Sequence, residues 1–598
     1  MQSVAVKRLD AANLSDAQKH SHLADGVITT TTLTVNNSVQ YADATHLPYA
    51  NPNAPKGGVL SMPAIGMFNS VNSFIDQGVP ATGTFYLYDT LMAGSLDEAF
   101  VLYPQLAEKV THNPDDKSWI IYHIHPKARF WDGSAVTADD VKSTFEHILT
   151  NGLMSWRSFL GGIIAIKTLD QHRVKFYFDE GASADLGMTV GLMPIFAKKD
   201  IDARFSQPSL TPLLGSGAYR LDIAEPSRRI RYVRDANYWG DDVMVNRGRF
   251  NFDAIEYQYF ADDAVAFEAF KSGQYQFRTE ADIKRWASFD PKQNNLPIIK
   301  SELSNQNPVL MQGLVINLRK AKFSDIRVRR ALNLAFDFEW VNAQLLYGEY
   351  QRLNSYFYGS NIAAKGKPSA EELVILQSLP LSEIEQSALD GVPTQPVSAG
   401  DGINRDNLLK ARQLLLQAGF GYQNGQLIDQ QGKVVSIEIL VADDKHQAIL
   451  LPYVKNLQRL GFDASIRRMD NASYLARKRA FNFDMIIDSF MQGNAPGAEQ
   501  AYLWGSAAAD EMGNQNTIGI KSHAIDAIIT KLAQATTRHD VEIYAKVLDR
   551  LLLAGEYMIP WYGKNSTDVM YYHGYQHPNR LPTNSIGLDY WWYDAQQE

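Results

Sequence analysis

Amphipathic helical segments alternate with short β-branched runs along this chain, and this alternation limits the fold class more than any other feature. In DIRVRRALNLAFD the apolar side chains recur at i, i+3, i+4 and i+7, the spacing of one buried helix face: Val328, Ala331, Leu332 and Ala335. The runs VVSIEILVA (434–442) and ASIRRMD (464–470) are instead typical of strands. Strands placed between helices predict an α/β protein with several mixed sheets.

Acidic residues near predicted helix starts are explained by capping. The stretch KARFWDGSAVTADDVKSTFEHIL (127–149) contains a β-like run, an Asp-Gly turn and an amphipathic helix. Thr137 is positioned as the N-cap, and Asp139 and Asp140 fall in the first turn, where the helix dipole favours negative charge. At the other end of a helix, the stretch DNLLKARQLLLQAGF (406–420) contains Gly419 near its end, as a C′ glycine.

Length and composition narrow the class of protein. A chain of 598 residues is too long for one core, since domains usually have about 100–200 residues. The net charge is −9 (57 basic minus 66 acidic residues). No basic run is interleaved with aromatic residues, so we expect no nucleic-acid partner. No apolar stretch approaches the roughly 18–20 residues that span a bilayer, and the absence of cysteine excludes disulfides and thiolate chemistry.

Signatures of catalysis are missing from the sequence. It contains no G-x-S-x-G, H-E-x-x-H, P-loop or G-x-G-x-x-G motif. GSGAYR (215–220) lacks the third glycine and predicts a tight turn into a strand. His123 and His125 alternate along a predicted strand and share a face, which suits either half of a metal site or exposed strand histidines. We therefore expect a binding protein, not an enzyme, with no catalytic residue, metal ligand or cofactor.

An ordered series of motifs carries a family resemblance. The series runs NPNAPKGGVLSMPAIGMFNSVNSF, YDTL, YPQLAEK, ARFWDGSAVTADDVKSTFEHI, GSGAYRL, DANYWG, FSDIRVRRALNLAFDFEW, NSYFYGS and SIGLDYWWYD. Together these motifs resemble the family-5 extracellular solute-binding proteins, the oligopeptide, dipeptide and nickel receptors of ABC importers. NRGRFNFD, AFDFEW and NSYF resemble the YejA-type peptide-binding branch in particular. The resemblance covers residues 30–598.

The resemblance implies a two-lobed periplasmic-binding-protein fold, the large kind with an extra domain and a two-segment hinge. A flexible segment at 1–29 precedes the domains. Domain II, a small insertion, is expected at 69–205 and domain III, the second lobe, at 299–555. Domain I is expected to be discontinuous, with segments at 30–68, 206–298 and 556–598. The hinge crossings would then lie near residues 299 and 555.

The implied function is a periplasmic receptor that captures oligopeptides, among them murein peptides or peptide antibiotics, by hinge closure. Its expected partners are the peptide ligand and an inner-membrane ABC permease with its ATPase, and the receptor is expected to be a monomer. A receptor of the same fold for a metal chelate or an oligosaccharide is the alternative, and a peptide hydrolase is a third, less favoured one.

The opening residues MQSVAVKRLDAANLSDAQKHSHLADG are polar and show no apolar signal-peptide core.

The resemblance also places candidate ligand contacts at the end of the strand that follows AFEAFKSG. There the chain reads Arg278-Thr279-Glu280. The planar guanidinium of Arg278 could pair with a peptide carboxylate, and Glu280 could receive an α-amine. The alternative is that Arg278 and Glu280 pair with each other.

A second family position departs from the pattern. Family members carry YDxxxxGWxxD, whose last aspartate binds the peptide α-amine, and this chain has FDMIIDSFMQGNAPG. Asp484 matches the first aspartate, Ser489 the glycine and Phe490 the tryptophan, but Gly493 occupies the place of the last aspartate. We expect α-amine capture to be altered: either Asp488, Gln492 or Asn494 substitutes for the missing aspartate, or the ligand is recognised in a different way.

The remaining candidates are a loop and several aromatic residues. GMFN (66–69) matches the family loop that runs antiparallel to a bound peptide, where main-chain hydrogen bonds tolerate many side chains. Aromatic candidates suit either a core or a pocket. The complete predicted set of ligand-binding residues is Gly66, Met67, Phe68, Asn69, Arg278, Thr279, Glu280, Tyr356, Phe357, Asp488, Ser489, Phe490, Met491, Gln492, Asn494 and Trp504.

Overall fold

The protein is described here by a computed structural model that covers most of the chain. The described residues are 26–34, 39–180, 182–183, 185–293, 295–442, 444–535 and 537–597. Residues 1–25 of the predicted flexible segment lie outside them. The chain divides into two compact units. Unit 1 comprises the described residues as far as Thr279, with Asp290–Leu303 and the chain from Asp568, and unit 2 comprises Glu280–Phe289 and Ser304–Thr567. The boundaries of the three predicted domains stay a prediction.

The strands are mostly short, with two to seven residues each. In chain order they are β1 Ile28–Thr30, β2 Leu33–Thr34, β3 Val59–Ile65, β4 Met92–Gly94, β5 Val101–Pro104, β6 Ala107–His112, β7 Trp119–Ile124, β8 Ile163–Thr168, β9 Arg173–Phe178, β10 Tyr219–Glu225, β11 Arg229–Arg234, β12 Ala254–Phe260, β13 Phe277–Thr279, β14 Ile298–Ser304, β15 Met311–Ile316, β16 Gln351–Arg352, β17 Gly421–Gln423, β18 Gln426–Ile428, β19 Ser436–Val441, β20 Asp463–Arg468, β21 Met485–Phe490, β22 Met558–Pro560, β23 Tyr562–Gly563, β24 Ser566–Tyr572, β25 Tyr575–Gln576 and β26 Trp592–Tyr593.

The helices range from single turns to the 17-residue helix near the C-terminal end. They are α1 Ala138–Asn151, α2 Met154–Phe159, α3 Leu186–Gly191, α4 Lys198–Arg204, α5 Asp263–Lys271, α6 Ile283–Ser288, α7 Ile326–Leu334, α8 Phe338–Leu345, α9 Ala370–Ser378, α10 Gln386–Asp390, α11 Arg405–Gln417, α12 Asp444–Arg459, α13 Asn471–Arg479, α14 Gln500–Trp504, α15 His523–Ala533 and α16 Arg538–Ala554. Within the described ranges, every helix falls short of the length and apolar character that a bilayer crossing requires.

Unit 1 is built on antiparallel and mixed sheets. A five-stranded sheet has the order β1-β6-β7-β9-β8 with antiparallel neighbours. A four-stranded sheet has the order β10-β11-β12-β3, in which β12 and β3 run parallel. Because β3 leads directly into the loop at 66–69, this parallel pair fixes where that predicted ligand loop begins.

Unit 2 is organised around one mixed five-stranded sheet, β20-β19-β21-β15-β22. Strand β21 is its middle strand, parallel to β19 and antiparallel to β15. Along β15, Val315 belongs to one hydrophobic cluster and its neighbours Leu314 and Ile316 to another. Since successive side chains of a strand point to opposite faces, both faces of the sheet are buried. Helices α15 and α16 contribute to the first cluster, and α7, α11 and α12 contribute to the second.

Local sequence signals predicted several of these helices correctly. Thr137 caps α1, and it forms a capping box in which the Thr137 backbone N–H donates to Asp140 Oδ2 at 2.8 Å. The predicted apolar face of α7 is buried. Gly419 follows α11 with φ at +90°, as a C′ glycine should.

GSGAYR leads into β10 as predicted, but through a bend at Gly217 and Ala218 and not through a tight turn. A Cβ atom at Gly215 would lie 2.1 Å from the Leu87 carbonyl oxygen, and one at Gly217 would lie 2.4 Å from that of Tyr86. These two glycines are therefore needed for close backbone packing.

Candidate ligand-binding site

The loop at 66–69 is fixed by one buried ring and several backbone contacts. The Gly66 N–H donates to the Phe260 carbonyl at 2.9 Å, and Phe68, fully buried, packs 4.9 Å from the Tyr259 ring. Asn69 Oδ1 accepts from the Val79 N–H at 2.7 Å. Met67 is 51% exposed, and Gly66 and Asn69 are exposed as well. Phe68 thus anchors the loop, while the other three predicted residues lie at the surface of unit 1.

Arg278 is almost wholly buried in unit 1. One terminal nitrogen of its guanidinium lies 3.0 Å from Asp263 Oδ1, at the first residue of α5, and the other donates to the Tyr275 hydroxyl at 2.9 Å. The guanidinium also lies 5.2 Å from the centroid of the Phe267 ring. These contacts join β13 to α5, so Arg278 has a structural role. Its pairing with a ligand carboxylate stays a prediction.

Glu280 belongs to unit 2, and its side chain is fully buried. Its carboxylate accepts from Arg285 Nε at 2.7 Å and from the Asp282 N–H at 2.8 Å. Glu280 thereby stabilises the start of α6. Each member of the predicted Arg278-Glu280 motif thus has an ion-pair partner of its own, and Thr279 between them is exposed.

Four of the predicted aromatic residues, Tyr356, Phe357, Phe490 and Trp504, lie in the core of unit 2. The Trp504 ring is 5.1 Å from Tyr356 and 4.6 Å from Phe490. None of the four is more than 2% exposed. Of the two interpretations that the sequence left open for Tyr356, Phe357 and Trp504, the structure supports the core, where these rings support the neighbouring loop.

Asp549, which the sequence analysis missed, fixes the segment that carries Tyr356. Its carboxylate accepts from the Ser355 hydroxyl at 2.6 Å, the Tyr356 N–H at 2.8 Å and the Ala364 N–H at 2.9 Å. Burial raises the pKa of Asp549 to about 6, although these hydrogen bonds oppose the shift. The sequence feature that could have identified Asp549 is the charged pair Asp549-Arg550, which interrupts the apolar run of α16.

The segment 488–494 leaves β21 and carries the departure from the family pattern. Asp488 accepts from Lys478 Nζ at 2.5 Å and from the Thr517 hydroxyl at 2.7 Å, so both of its oxygens are engaged. Ser489 and Gly493 are exposed, and Met491 is 79% exposed. Among the described residues, a Cβ atom at Gly493 would have one heavy atom within 4 Å apart from its chain neighbours, the Ala495 nitrogen at 4.0 Å. The place of the missing aspartate is therefore open.

A hydrogen-bond relay fixes the polarity of Gln492. Trp504 Nε1 donates to Gln500 Oε1 at 2.9 Å, and Gln500 Nε2 donates to Gln492 Oε1 at 2.7 Å. Because an indole N–H can only donate, Gln500 must present its oxygen to Trp504 and its NH₂ to Gln492. The Gln492 oxygen is thereby occupied.

Asn494 donates to Asn307 Oδ1 at 3.2 Å. Of the three positions considered as substitutes, only Asp488 has a carboxylate, and both of its oxygens are engaged. The side-chain oxygen of Gln492 is engaged as well, so the structure shows no open carboxylate at these positions. Sequence reasoning missed Gln500, since the five-residue α14 is too short to show a helical period.

The two histidines considered as half of a metal site have other contacts. His123 Nε2 lies 2.8 Å from the Thr111 hydroxyl oxygen, and His125 Nδ1 accepts from the Lys127 N–H at 3.0 Å. Across the described residues, no group of three or more His, Asp or Glu side chains is arranged to hold a metal ion.

Comparison with known proteins decides the family. The sequence profile described as "Bacterial extracellular solute-binding proteins, family 5 Middle" matches residues 101–511. The chain belongs to this family. The expected resemblance is therefore confirmed, and so is the expected fold class of mixed sheets flanked by helices.

Curated relatives in the family match nearly the whole chain. The "Probable peptide-binding protein YejA" of Agrobacterium fabrum is 36% identical and covers 92% of this chain and 91% of its own. The "Peptidoglycan-binding protein YepA" of the same organism is 34% identical, with 92% of each chain covered. The similarity to the YejA-type branch is thereby confirmed.

Solved structures agree in fold. The oligopeptide-binding protein AppA from Bacillus subtilis, in complex with a nonapeptide, has a TM-score of 0.56 at 18% identity and covers 91% of this chain and 100% of its own. NikA from Brucella suis, in complex with Fe(III)-EDTA, has a TM-score of 0.64 at 16% identity, covering 90% and 100%. At such identities the likeness shows the fold and leaves the ligand open.

Proposed function

We propose that this family-5 solute-binding protein is the periplasmic receptor of an ABC importer for oligopeptides, with cell-wall peptides and peptide antibiotics as the favoured ligands. The observation that carries the proposal is its similarity, over more than nine-tenths of the chain, to relatives named for binding peptide and peptidoglycan. The receptor would deliver its ligand to an inner-membrane permease and its ATPase, and it would act as a monomer without catalysing a reaction.

The site supports a peptide ligand recognised partly through its backbone. The loop at 66–69 presents Gly66, Met67 and Asn69 at the surface of unit 1, and an exposed main chain suits ligands of varied sequence. In unit 2, the segment 488–494 offers no free carboxylate at the position where the family pattern has one. The proposal is therefore a peptide receptor in which the α-amine is not captured at Gly493.

Native mass spectrometry of the freshly purified protein tests the ligand class. We expect co-purified peptides, released on denaturation, and calorimetry with murein peptides and a peptide library should then give measurable affinities. If neither method finds a peptide, the proposed function is wrong. Recovery of a bound peptide intact after long incubation would exclude a hydrolase, and small-angle scattering with and without peptide tests the expected hinge closure.

The metal-chelate and oligosaccharide alternatives have support only at the level of the fold, through neighbours such as NikA. Among the described residues, we find no candidate metal ligands besides His123 and His125. Metal analysis of the purified protein and of His123→Ala tests the metal-chelate alternative. Metal present in the wild type and absent from the variant would support a metal-chelate receptor.

A further inference from the structure

A cavity of about 540 Å³ in unit 1 is lined by none of the residues predicted to bind peptide. It is lined partly by KARFWDG, the start of the stretch that identifies the family, partly by Ser216 and Arg220 near the start of β10, and partly by residues after β11. Its size falls within the range of small-molecule sites, about 300–1,000 Å³. Its lining combines indole and phenol rings with basic side chains: Lys127, Arg129, Trp131, Arg220, Tyr238 and Trp239.

The aromatic wall of this cavity is held in place by a buried carboxylate. Asp89 accepts from the Trp239 indole N–H at 2.8 Å and from the Tyr238 hydroxyl at 2.8 Å, and Gln105 also donates to it, at 2.7 Å. The two rings remain half-buried. Because their polar atoms face Asp89, they offer the cavity mainly apolar ring surface in a fixed orientation.

The floor of the cavity is equally well ordered. Arg220 pairs with Asp235 through Nε at 3.0 Å and a terminal nitrogen at 2.6 Å, and it also donates to the Trp131 carbonyl at 3.0 Å. The Trp131 indole N–H donates to the Gly217 carbonyl at 2.9 Å. The charge of Arg220 is thus neutralised within the protein, and Trp131 presents a third fixed ring.

Two further cations in the lining are not neutralised. Lys127 and Arg129 are exposed, and among the residues that the structure describes no carboxylate lies within ion-pair distance of either. One terminal nitrogen of Arg129 donates to the carbonyls of Pro126 and Ala128, each at 2.8 Å, which orients the guanidinium. Asp132, the remaining acid in the lining besides Asp235, is paired with Lys199. The cavity therefore combines excess positive charge with fixed apolar rings, in a protein whose net charge is −9.

We propose that this cavity is a second binding site, which takes a small ring bearing a carboxylate. The carboxylate would pair with Arg129 and Lys127, since a guanidinium fork and an ammonium both favour that group. The apolar face of the ring would lie against Trp239 or Trp131. An acidic sugar and an aromatic acid share this chemistry, and the experiment distinguishes them.

Saturation-transfer NMR on the full chain tests the site with glucuronate and phenylacetate as the anionic ring probes, and with glucose and acetate as probes that lack the charge or the ring. We expect one or both anionic rings to bind, with ring protons closest to the protein and with binding weakened by salt. Binding of glucuronate alone would identify a sugar site, and binding of phenylacetate alone an aromatic-acid site.

Variants then assign the binding to this cavity. Arg129→Met should lower the affinity for the anionic probe by about tenfold, as expected for a lost charged hydrogen bond. Trp239→Leu should reduce saturation transfer from the protein to the ring protons of the probe. Lys117→Met, which removes an exposed lysine outside the cavity, is the matched control and should change nothing. The proposal is wrong if neither glucuronate nor phenylacetate binds, or if glucose and acetate bind as tightly as these two probes. It is also wrong if Arg129→Met binds the anionic ring probe as tightly as the wild type does. The peptide-binding proposal is independent of each of these results.

Discussion

Arg550 Nε lies 2.6 Å from Glu372 Oε2, and the two side chains are only 1% and 7% exposed. The other guanidinium nitrogens of Arg550 donate to the carbonyls of Lys365, Gly366 and Lys367 at 2.8–3.1 Å. One arginine on α16 thereby fixes both α9 and the loop that precedes it.

Replacing Arg550 by methionine should destabilise unit 2 strongly. Glu372 would be left as a buried charge without its partner, and three backbone carbonyls would lose a donor, at a cost of about 3–5 kcal/mol. Urea denaturation measures the change. Lys521→Met breaks the exposed pair with Asp510 and should cost less than about 1 kcal/mol. Equal effects of the two substitutions would contradict a buried role for Arg550.

Asp549→Asn should destabilise the protein although the side chain keeps its shape. An amide has one acceptor oxygen, whereas Asp549 accepts on both oxygens, from Ser355, Tyr356 and Ala364. In either orientation of the amide, one backbone N–H faces an NH₂ group, so we expect a loss of about 1–3 kcal/mol. Asp463→Asn, at an exposed position, is the matched control, and unfolding of both variants by guanidinium measures the difference.

The same residue predicts a dependence on pH. Burial raises the pKa of Asp549 from 3.8 to about 6, so between these values the folded state retains a proton that the unfolded state releases. The contribution of Asp549 to stability is therefore full below pH 3.8 and is lost as the pH rises through 6, by at most about 1.4 kcal/mol per pH unit.

Because other carboxylates titrate in the opposite sense, the quantity to measure is the stability of the wild type minus that of Asp549→Asn. This difference should grow as the pH falls from 7 to 5. A difference that stays constant over that interval would show that the pKa of Asp549 is not raised.

Gly493→Asp should change the ligand preference of the receptor. The position is open, and Gly493 is not among the glycines with positive φ, so an aspartate can be accommodated. If the peptide α-amine lies near this position, as the family pattern implies, the new carboxylate should strengthen binding of peptides with a free amine by about tenfold.

Calorimetry with matched free and N-acetylated peptides measures that preference. Gly493→Asn, which adds similar bulk without charge, is the control and should leave the ratio of the two affinities unchanged. An unchanged ratio in Gly493→Asp would place the amine elsewhere.

Removing the N-cap of α1 should cost a modest amount of stability. Thr137→Ala deletes the side chain that accepts from the Asp140 N–H and donates to Asp140 Oδ2, a loss of about 1 kcal/mol. Thr137→Ser, which keeps the hydroxyl, should lie close to the wild type in the same thermal or urea measurement. A loss of equal size in Thr137→Ser would assign the effect to the methyl group.

Local features of the fold were predictable because their signals lie within a few residues. Thr137, Gly419 and the apolar face of α7 depend on capping and on helical periodicity. The departure at Gly493 was equally visible from the sequence, since it concerns one position in a motif. The partners of Arg278 and Glu280 were not predictable, because tertiary packing selects Asp263 and Arg285 from many available charges. The relay through Gln500 depends on a helix too short to leave a periodic pattern.

The central position of β21 in its sheet has a consequence for motion. Met485 and Ile486 are paired with both β15 and β19, and their side chains lie in the two buried clusters, so their backbone amides should exchange with solvent only when unit 2 unfolds as a whole. Residues 491–494 lie beyond the end of β21 and outside the sheet. If the ligand contacts this segment, as the family pattern implies, ligand capture should slow exchange beyond Phe490 while exchange at Met485 and Ile486 stays unchanged.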